Sequence, residues 1–213
     1  MKLHALLGIA ALLVAMPATA QTSLHDELID GDLSGAISSP TGLSIVTSGD
    51  FSISGSVVDS DQDDTFAPGG AIGDYDVFTV TLASGLQIDA LTLDAFGGGG
   101  QAFIGVQEGT ELTVNTATNG NSFPAVASGF TLVDSSEVGE NLLTDLGLGV
   151  FGSVPAFSLP NPVSSGDYTF AFQNTGTNTN TYTLGFQVSA VPEPAAGSLA
   201  ILLVPFAMRR RRR

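Results

Sequence analysis

The residues best suited to chemistry in this chain are carboxylates. Asp59-Ser60-Asp61-Gln62-Asp63-Asp64 is followed ten residues on by Asp74 and Asp76. Alternate aspartates are what calcium loops use, because a hard cation takes about six to eight oxygen ligands. Crowded carboxylates with no basic partner repel by ~1 kcal/mol per close pair even in water, and a divalent ion relieves that. The order is not that of an EF-hand. Counted from Asp59, position six is Asp64 rather than Gly, and position twelve is Gly70 rather than Glu. A loop between strands need not follow that order. The expectation is a calcium site drawn from Asp59, Asp61, Asp63, Asp64, Asp74 and Asp76, set against a solvated acidic loop that keeps the protein soluble.

Other chemistries find few residues. His25 is the one histidine beyond the first twenty residues. So near a chain end it is expected to be mobile, a poor mount for the general base of a Ser-His-Asp triad. There is no Cys, which removes disulfides and thiol nucleophiles, and a zinc site would lack its usual ligands. A carboxylate pair could serve a glycosidase, but 20 acids between Gln21 and Ala190 offer no specific pair. There is no Trp to stack on a sugar, and Tyr75, Tyr168, Tyr182 and the phenylalanines mostly fall at strand spacing, which suits a core. Gly97 to Gly100 would need a following helix and usually a Lys to cradle phosphate, and the sequence has neither. It reads as a loop.

The charge distribution excludes more. The formal net charge is −15, and the six basic residues are Lys2 and Arg209 to Arg213. Between Gln21 and Ala190 there is no Lys or Arg, so that span carries a formal −20. Nothing in it can neutralise nucleic-acid phosphates or clamp an anionic substrate.

The two ends read as addresses. In residues 1–20, Lys2 precedes an apolar run from Ala5 to Met16, and Ala18-Thr19-Ala20 follows. That is the layout of a signal peptide cut by signal peptidase between Ala20 and Gln21; its apolar run is too short to span a bilayer. At the other end, Val191-Pro192-Glu193-Pro194 precedes an apolar stretch, Ala195 to Met208, and then Arg209, Arg210, Arg211, Arg212 and Arg213. The prolines place the helix start after them. Fourteen residues rise ~21 Å as a helix, enough to span where the bilayer thins or the arginines snorkel. The positive-inside rule keeps the arginines cytoplasmic and the exported body on the far side.

These C-terminal residues resemble the PEP-CTERM sorting signal of exopolysaccharide-producing bacteria. The resemblance implies recognition by an exosortase, a cysteine-dependent transpeptidase-like membrane enzyme. It would cut near Pro192-Glu193-Pro194 and release or attach the protein at the cell surface. It implies transient anchoring in the inner membrane and a final place at the outer membrane, the cell surface or the matrix.

The body, 21–190, has the length of one domain with a sizeable core. It holds 24 of the 26 glycines and 12 of the 13 phenylalanines, a composition of short strands and many turns. Phe51, Ile53 and Gly55 to Val57 mark one strand. Tyr75 to Leu82 alternates with Phe78, Val80 and Leu82 on one face. Leu86, Ile88, then Leu91 and Leu93 mark a strand with a face switch, as at a bulge. Ala102 to Val106 is another strand before a turn at Gln107-Glu108-Gly109. Tyr168, Phe170 and Phe172, then Tyr182, Leu184, Phe186 and Val188, predict a hairpin across the polar stretch from Asn174 to Asn180. Val138 to Leu148 predicts one short helix. The sum is an all-β, antiparallel β-sandwich or jelly roll.

Asp30-Gly31-Asp32-Leu33-Ser34-Gly35, Asp74-Tyr75-Asp76-Val77-Phe78-Thr79-Val80, Ala102 to Val106, Ser165-Gly166-Asp167-Tyr168-Thr169-Phe170 and Tyr182-Thr183-Leu184 form a series. It resembles the β-sandwich of bacterial pre-peptidase C-terminal (PPC) domains. The resemblance implies a non-catalytic module of secreted proteins, here without an attached protease. The expected function is therefore that of an exported surface or matrix protein, associated with exopolysaccharide or biofilm. A carbohydrate-binding module is the alternative, and a secreted glycosidase-type enzyme comes after it.

Overall fold

Eight strands and two single turns of helix make up the described part of the chain. They are β1 (Thr22–Asp26), α1 (Glu27–Asp30), β2 (Thr41–Ile45), β3 (Gly49–Val57), β4 (Tyr75–Gly97), β5 (Ala102–Glu108), β6 (Gly129–Val133), α2 (Leu143–Leu146), β7 (Val163–Asn174) and β8 (Asn180–Ala190). The computed structural model describes residues 20–58, 74–112, 129–146, 159–175 and 178–192. The expected signal peptide up to Thr19, the acidic residues Asp59 to Asp64 within 59–73, and the apolar and arginine segments after Pro192 lie outside them. Among the described residues no helix is long and apolar enough to cross a membrane.

The strands form one mixed sheet in the order β1-β3-β8-β4-β7-β5-β6, with β2 pairing β4. The all-β expectation holds, but the antiparallel one does not extend to the whole sheet. β1 runs parallel to β3, and β2 runs parallel to β4. A parallel neighbour needs a crossover of about a dozen residues or more. The chain supplies it from Glu27 to Ser48 in one case and through β3 in the other.

β4 organises the molecule. At 23 residues it is several times the usual strand, which runs ~5–6. Its first part, Tyr75 to Leu82, pairs with β7 and with β2, and its later part, Leu86 to Gly97, pairs with β8. Between them the register with β7 shifts from Leu82 to Gln87, and Gly85 sits at φ +80, where a side chain would be strained. The face switch expected between Ile88 and Leu91 appears as a register shift between Ile88 and Ala90.

The predicted hairpin of β7 and β8 is not formed. β7 pairs with β4 and β5, and β8 pairs with β3 and β4. The two strands flank β4, so the Asn-rich connection crosses between them instead of closing a ladder. Alternation told which face each strand buries; it carried no information about which strand lies alongside. β7 and β8 meet through side chains: Phe170 and Phe186 pack edge to face at 5.8 Å, and Phe172 stacks on Tyr182 at 3.9 Å.

The core gathers one face of each strand. Phe51, Ile53 and Val57 of β3, Phe78, Val80 and Leu82 of β4, Phe170 and Phe172 of β7, and Leu184 and Phe186 of β8 belong to one buried cluster. The opposite face of β4 is covered too, by a smaller cluster of Tyr75, Val77, Leu112, Phe130 and Ala171. The helix expected over Val138 to Leu148 reduces to α2 in its described part. Val138 bridges Leu93 and Asn141 bridges Thr92, so this stretch spends its backbone groups on β4 before one helical turn begins. His25 is not a frayed end either. It sits in β1 opposite Ile53, is buried, and shares a 2.9 Å hydrogen bond between its Nε2 and the carbonyl of Gly31.

Candidate functional site

The alternation that turns Phe78, Val80 and Leu82 inward also turns Asp76 inward. Its carboxylate is completely buried. On β8 the same parity brings Tyr182 inside with Leu184 and Phe186, and on β3 it brings Gly55 in line with Ile53 and Val57. The register places Gly55 opposite Tyr182 and Asp76 opposite Phe172. Stacking of Phe172 on Tyr182 then holds the phenol near the carboxylate.

Gly55 makes the room. A Cβ there would stand 2.7 Å from the Tyr182 hydroxyl and 2.8 Å from Asp76 Oδ2. No hydrogen bond of good geometry reaches either Asp76 oxygen or the Tyr182 hydroxyl, although the phenol and the Glu27 carboxylate lie close enough to Asp76 to act on its titration. Buried polar groups are nearly always partnered, so three orphan atoms in one place call for a physical account.

Two more carboxylates approach from the N-terminal segment. Asp26 caps α1, its Oδ1 accepting from the Leu28 N–H. That cap starts the single helical turn at Glu27. Glu27 Oε1 accepts from the Leu33 N–H at 3.2 Å, and Oε2 accepts from the Ser56 N–H at 2.6 Å and from the Ser56 hydroxyl at 3.2 Å. These donors fix the carboxylate between the N-terminal segment and β3. Asp32, exposed, follows after Gly31, whose φ of +92 turns the chain back. One oxygen each of Glu27, Asp32 and Asp76 lie within 4.8 Å of one another. Glu27 and Asp32 line an open cavity of about 550 Å3 together with Gly55, Ser56 and Tyr182.

The electrostatics are one-sided. Burial pushes the Asp76 carboxyl up to about 9; the Glu27 charge adds to this, and the Tyr182 phenol pulls the other way. Burial, and then the Asp76 charge, push the Tyr182 phenol well above its usual range. Asp74 is also raised, by burial first and then by Asp32 and Glu27, against the Val58 N–H that it accepts at 3.1 Å. No Lys or Arg exists between Gln21 and Ala190 to answer these charges.

The chain matches no family model, no curated protein and no solved structure. The site therefore rests on its own geometry.

Of the acids expected to hold calcium, the structure brings Asp76 into this cluster and places Asp74 beside it; Asp59, Asp61, Asp63 and Asp64 lie outside the described residues. Glu27 and Asp32 were missed because they are more than forty residues away in sequence, and the pairing of β1 with β3 and the bridge between Ser34 and Val77 bring them near. The signal that could have found Asp76 was its parity with Phe78 and Val80. Of the terminal residues, Ala20 is exposed at the start of the described chain. Gln21 Nε2 donates to the Phe51 carbonyl and to Asp94 Oδ2, both at 2.9 Å. Val191 donates its N–H to the Gly85 carbonyl at 2.8 Å, and Pro192 is exposed. Ala18, Glu193, Pro194 and the arginines lie outside the described residues.

Proposed function

We propose that the chain is an exported, non-catalytic protein of the cell surface or extracellular matrix, processed at both ends. In this reading signal peptidase cuts at Ala20-Gln21. An exosortase then acts at Val191-Pro192-Glu193-Pro194, after transient anchoring by the apolar helix and its arginines in the inner membrane. The body between is a β-sandwich, its sheet turning over at Gly85 so that β7 and β8 face each other across the core. The observation that carries the reading is the order of the last 23 residues, a Pro-Glu-Pro element, an apolar stretch and five arginines, behind a body free of Lys and Arg. The body's first and last strands support it: β1 begins two residues after the expected first cut, and β8 ends just before the expected second one.

Association with extracellular polysaccharide belongs to the same reading. A carbohydrate-binding module would need aromatic rings free to stack on sugars. Among the described residues the large exposed apolar side chains are Leu28, Ile29, Val46, Val58, Val138 and Val191, none of them aromatic. That favours a spacer or adhesive role over a stacking one.

The test is to replace Pro192, Glu193 and Pro194 by alanine in the protein's own host. Full-mass protein retained in the inner membrane is the expected result. Unchanged mass and unchanged distribution would overturn the sorting role of these residues.

A further inference from the structure

The carboxylates of Glu27, Asp32 and Asp76 form a cluster that no functional reading above uses. We propose that they bind a divalent cation of calcium's kind, which fastens the N-terminal segment to β4 beside Tyr182.

Three observations carry this. The first is geometric. One oxygen from each carboxylate lies within 4.8 Å of the others. Calcium–oxygen distances of ~2.3–2.6 Å allow two ligands of one ion to stand up to ~5 Å apart, which this spacing satisfies. The second is the orphaned interior. Both oxygens of the buried Asp76 carboxylate and the buried Tyr182 hydroxyl lack a hydrogen bond of good geometry, and Gly55 leaves open the space where they converge. A carboxylate so placed costs several kcal/mol unless something answers its charge. The third is composition. The body has no Lys or Arg, so the answer comes from outside the chain, as a cation or as a proton.

The surroundings suit a cation. Glu27 is already oriented by the Ser56 N–H and hydroxyl and by the Leu33 N–H, as the outer partners of a ligand orient it. Oε1, which accepts one hydrogen bond, keeps a lone pair free, while Oε2 already accepts two. Asp32 is exposed and opens the cluster to the cavity, from which water completes the coordination. The three ligands come from α1, the turn after it, and β4. The ion therefore adds a second tie between the N-terminal segment and β4, beside the backbone bridge in which the Val77 N–H donates to the Ser34 carbonyl at 2.7 Å. A proton shared between Asp76 and Glu27 is the rival occupant.

The experiment uses the purified full chain, melted in about 5 mM calcium chloride and in chelator. Terbium luminescence excited through tyrosine is measured in parallel, since Tyr182 stands beside the site. Calcium at ~100 times its dissociation constant is expected to raise the melting temperature by about 5–10 °C. Magnesium should give a smaller shift. Asp32→Asn removes a ligand at an exposed position and should leave folding in chelator intact while weakening calcium and terbium binding about tenfold or more. Glu111→Gln, an exposed acid elsewhere with the same change in charge, should bind as the unaltered chain does. A melting temperature equal in calcium and chelator would overturn the site in favour of the shared proton. A calcium shift as large in Asp32→Asn as in Glu111→Gln would also overturn it, placing the ion elsewhere.

Discussion

Tyr182 and Asp76 converge on the bare side of Gly55: a Cβ at that glycine would stand 2.7 Å from the phenol oxygen and 2.8 Å from Asp76 Oδ2. The glycine is in an ordinary strand conformation, so it is there for space and not for backbone freedom. Both neighbours are buried and backed by strands, which leaves them little room to give way. Gly55→Ala should therefore destabilise the protein by ~1–3 kcal/mol, the usual effect of overpacking. Gly42→Ala, in β2 with nothing within 4 Å, should change stability by ~0.5 kcal/mol or less. Denaturant melts of the two variants compare them directly.

A buried acid with a raised pKa makes stability depend on pH. The Asp76 carboxyl has an ordinary value of 3.8 and is pushed to about 9 by burial in the fold. Between those values the folded protein holds a proton that the unfolded chain has released. Its contribution is fully present below the lower value and is lost as pH rises through the upper one. In chelator, the melting temperature should fall from pH 5 to pH 8. Asp76→Asn should flatten that fall, by at most ~1.4 kcal/mol per pH unit, and should be the more stable protein at pH 8. Equal slopes in the two proteins would mean that Asp76 does not titrate as described.

Phe170 sits within the main buried cluster, between β4 and β8 side chains. It stacks on Phe78 at 5.5 Å and meets Phe186 edge to face at 5.8 Å. Phe170→Ala should cost ~3–5 kcal/mol. Coupling between Phe170 and Phe186 in a double-mutant cycle should be ~0.5–1.5 kcal/mol, although no backbone ladder pairs their strands. Leu28→Ala on the exposed α1 should change stability by ~0.5 kcal/mol or less.

These residues also show what the sequence made legible. Alternation found β3, the first part of β4, β5, β7 and β8, and the spacing of Ile88 and Leu91 located the register shift. It missed that β4 is one strand, because Ala83-Ser84-Gly85 interrupts the apolar alternation between Leu82 and Leu86. It misjudged β7 and β8 as a hairpin, because a polar Asn-rich connection looks the same whether it closes a ladder or crosses one. It left out β1, whose place depends on β3 some 25 residues on. That omission, with the unforeseen bridge between Ser34 and Val77, hid the site, since these pairings bring Glu27 and Asp32 to Asp76. Asp76 itself was in plain view, an acid in step with Phe78, Val80 and Leu82.

The central claim is that this body is exported and trimmed at both ends. Its most direct test is the intact mass of the protein recovered from the surface and medium of its own host. The account predicts a chain that starts at Gln21 and ends between Val191 and Pro194, with any excess mass belonging to attached glycan or lipid. A recovered chain that still carries Arg213 would contradict it.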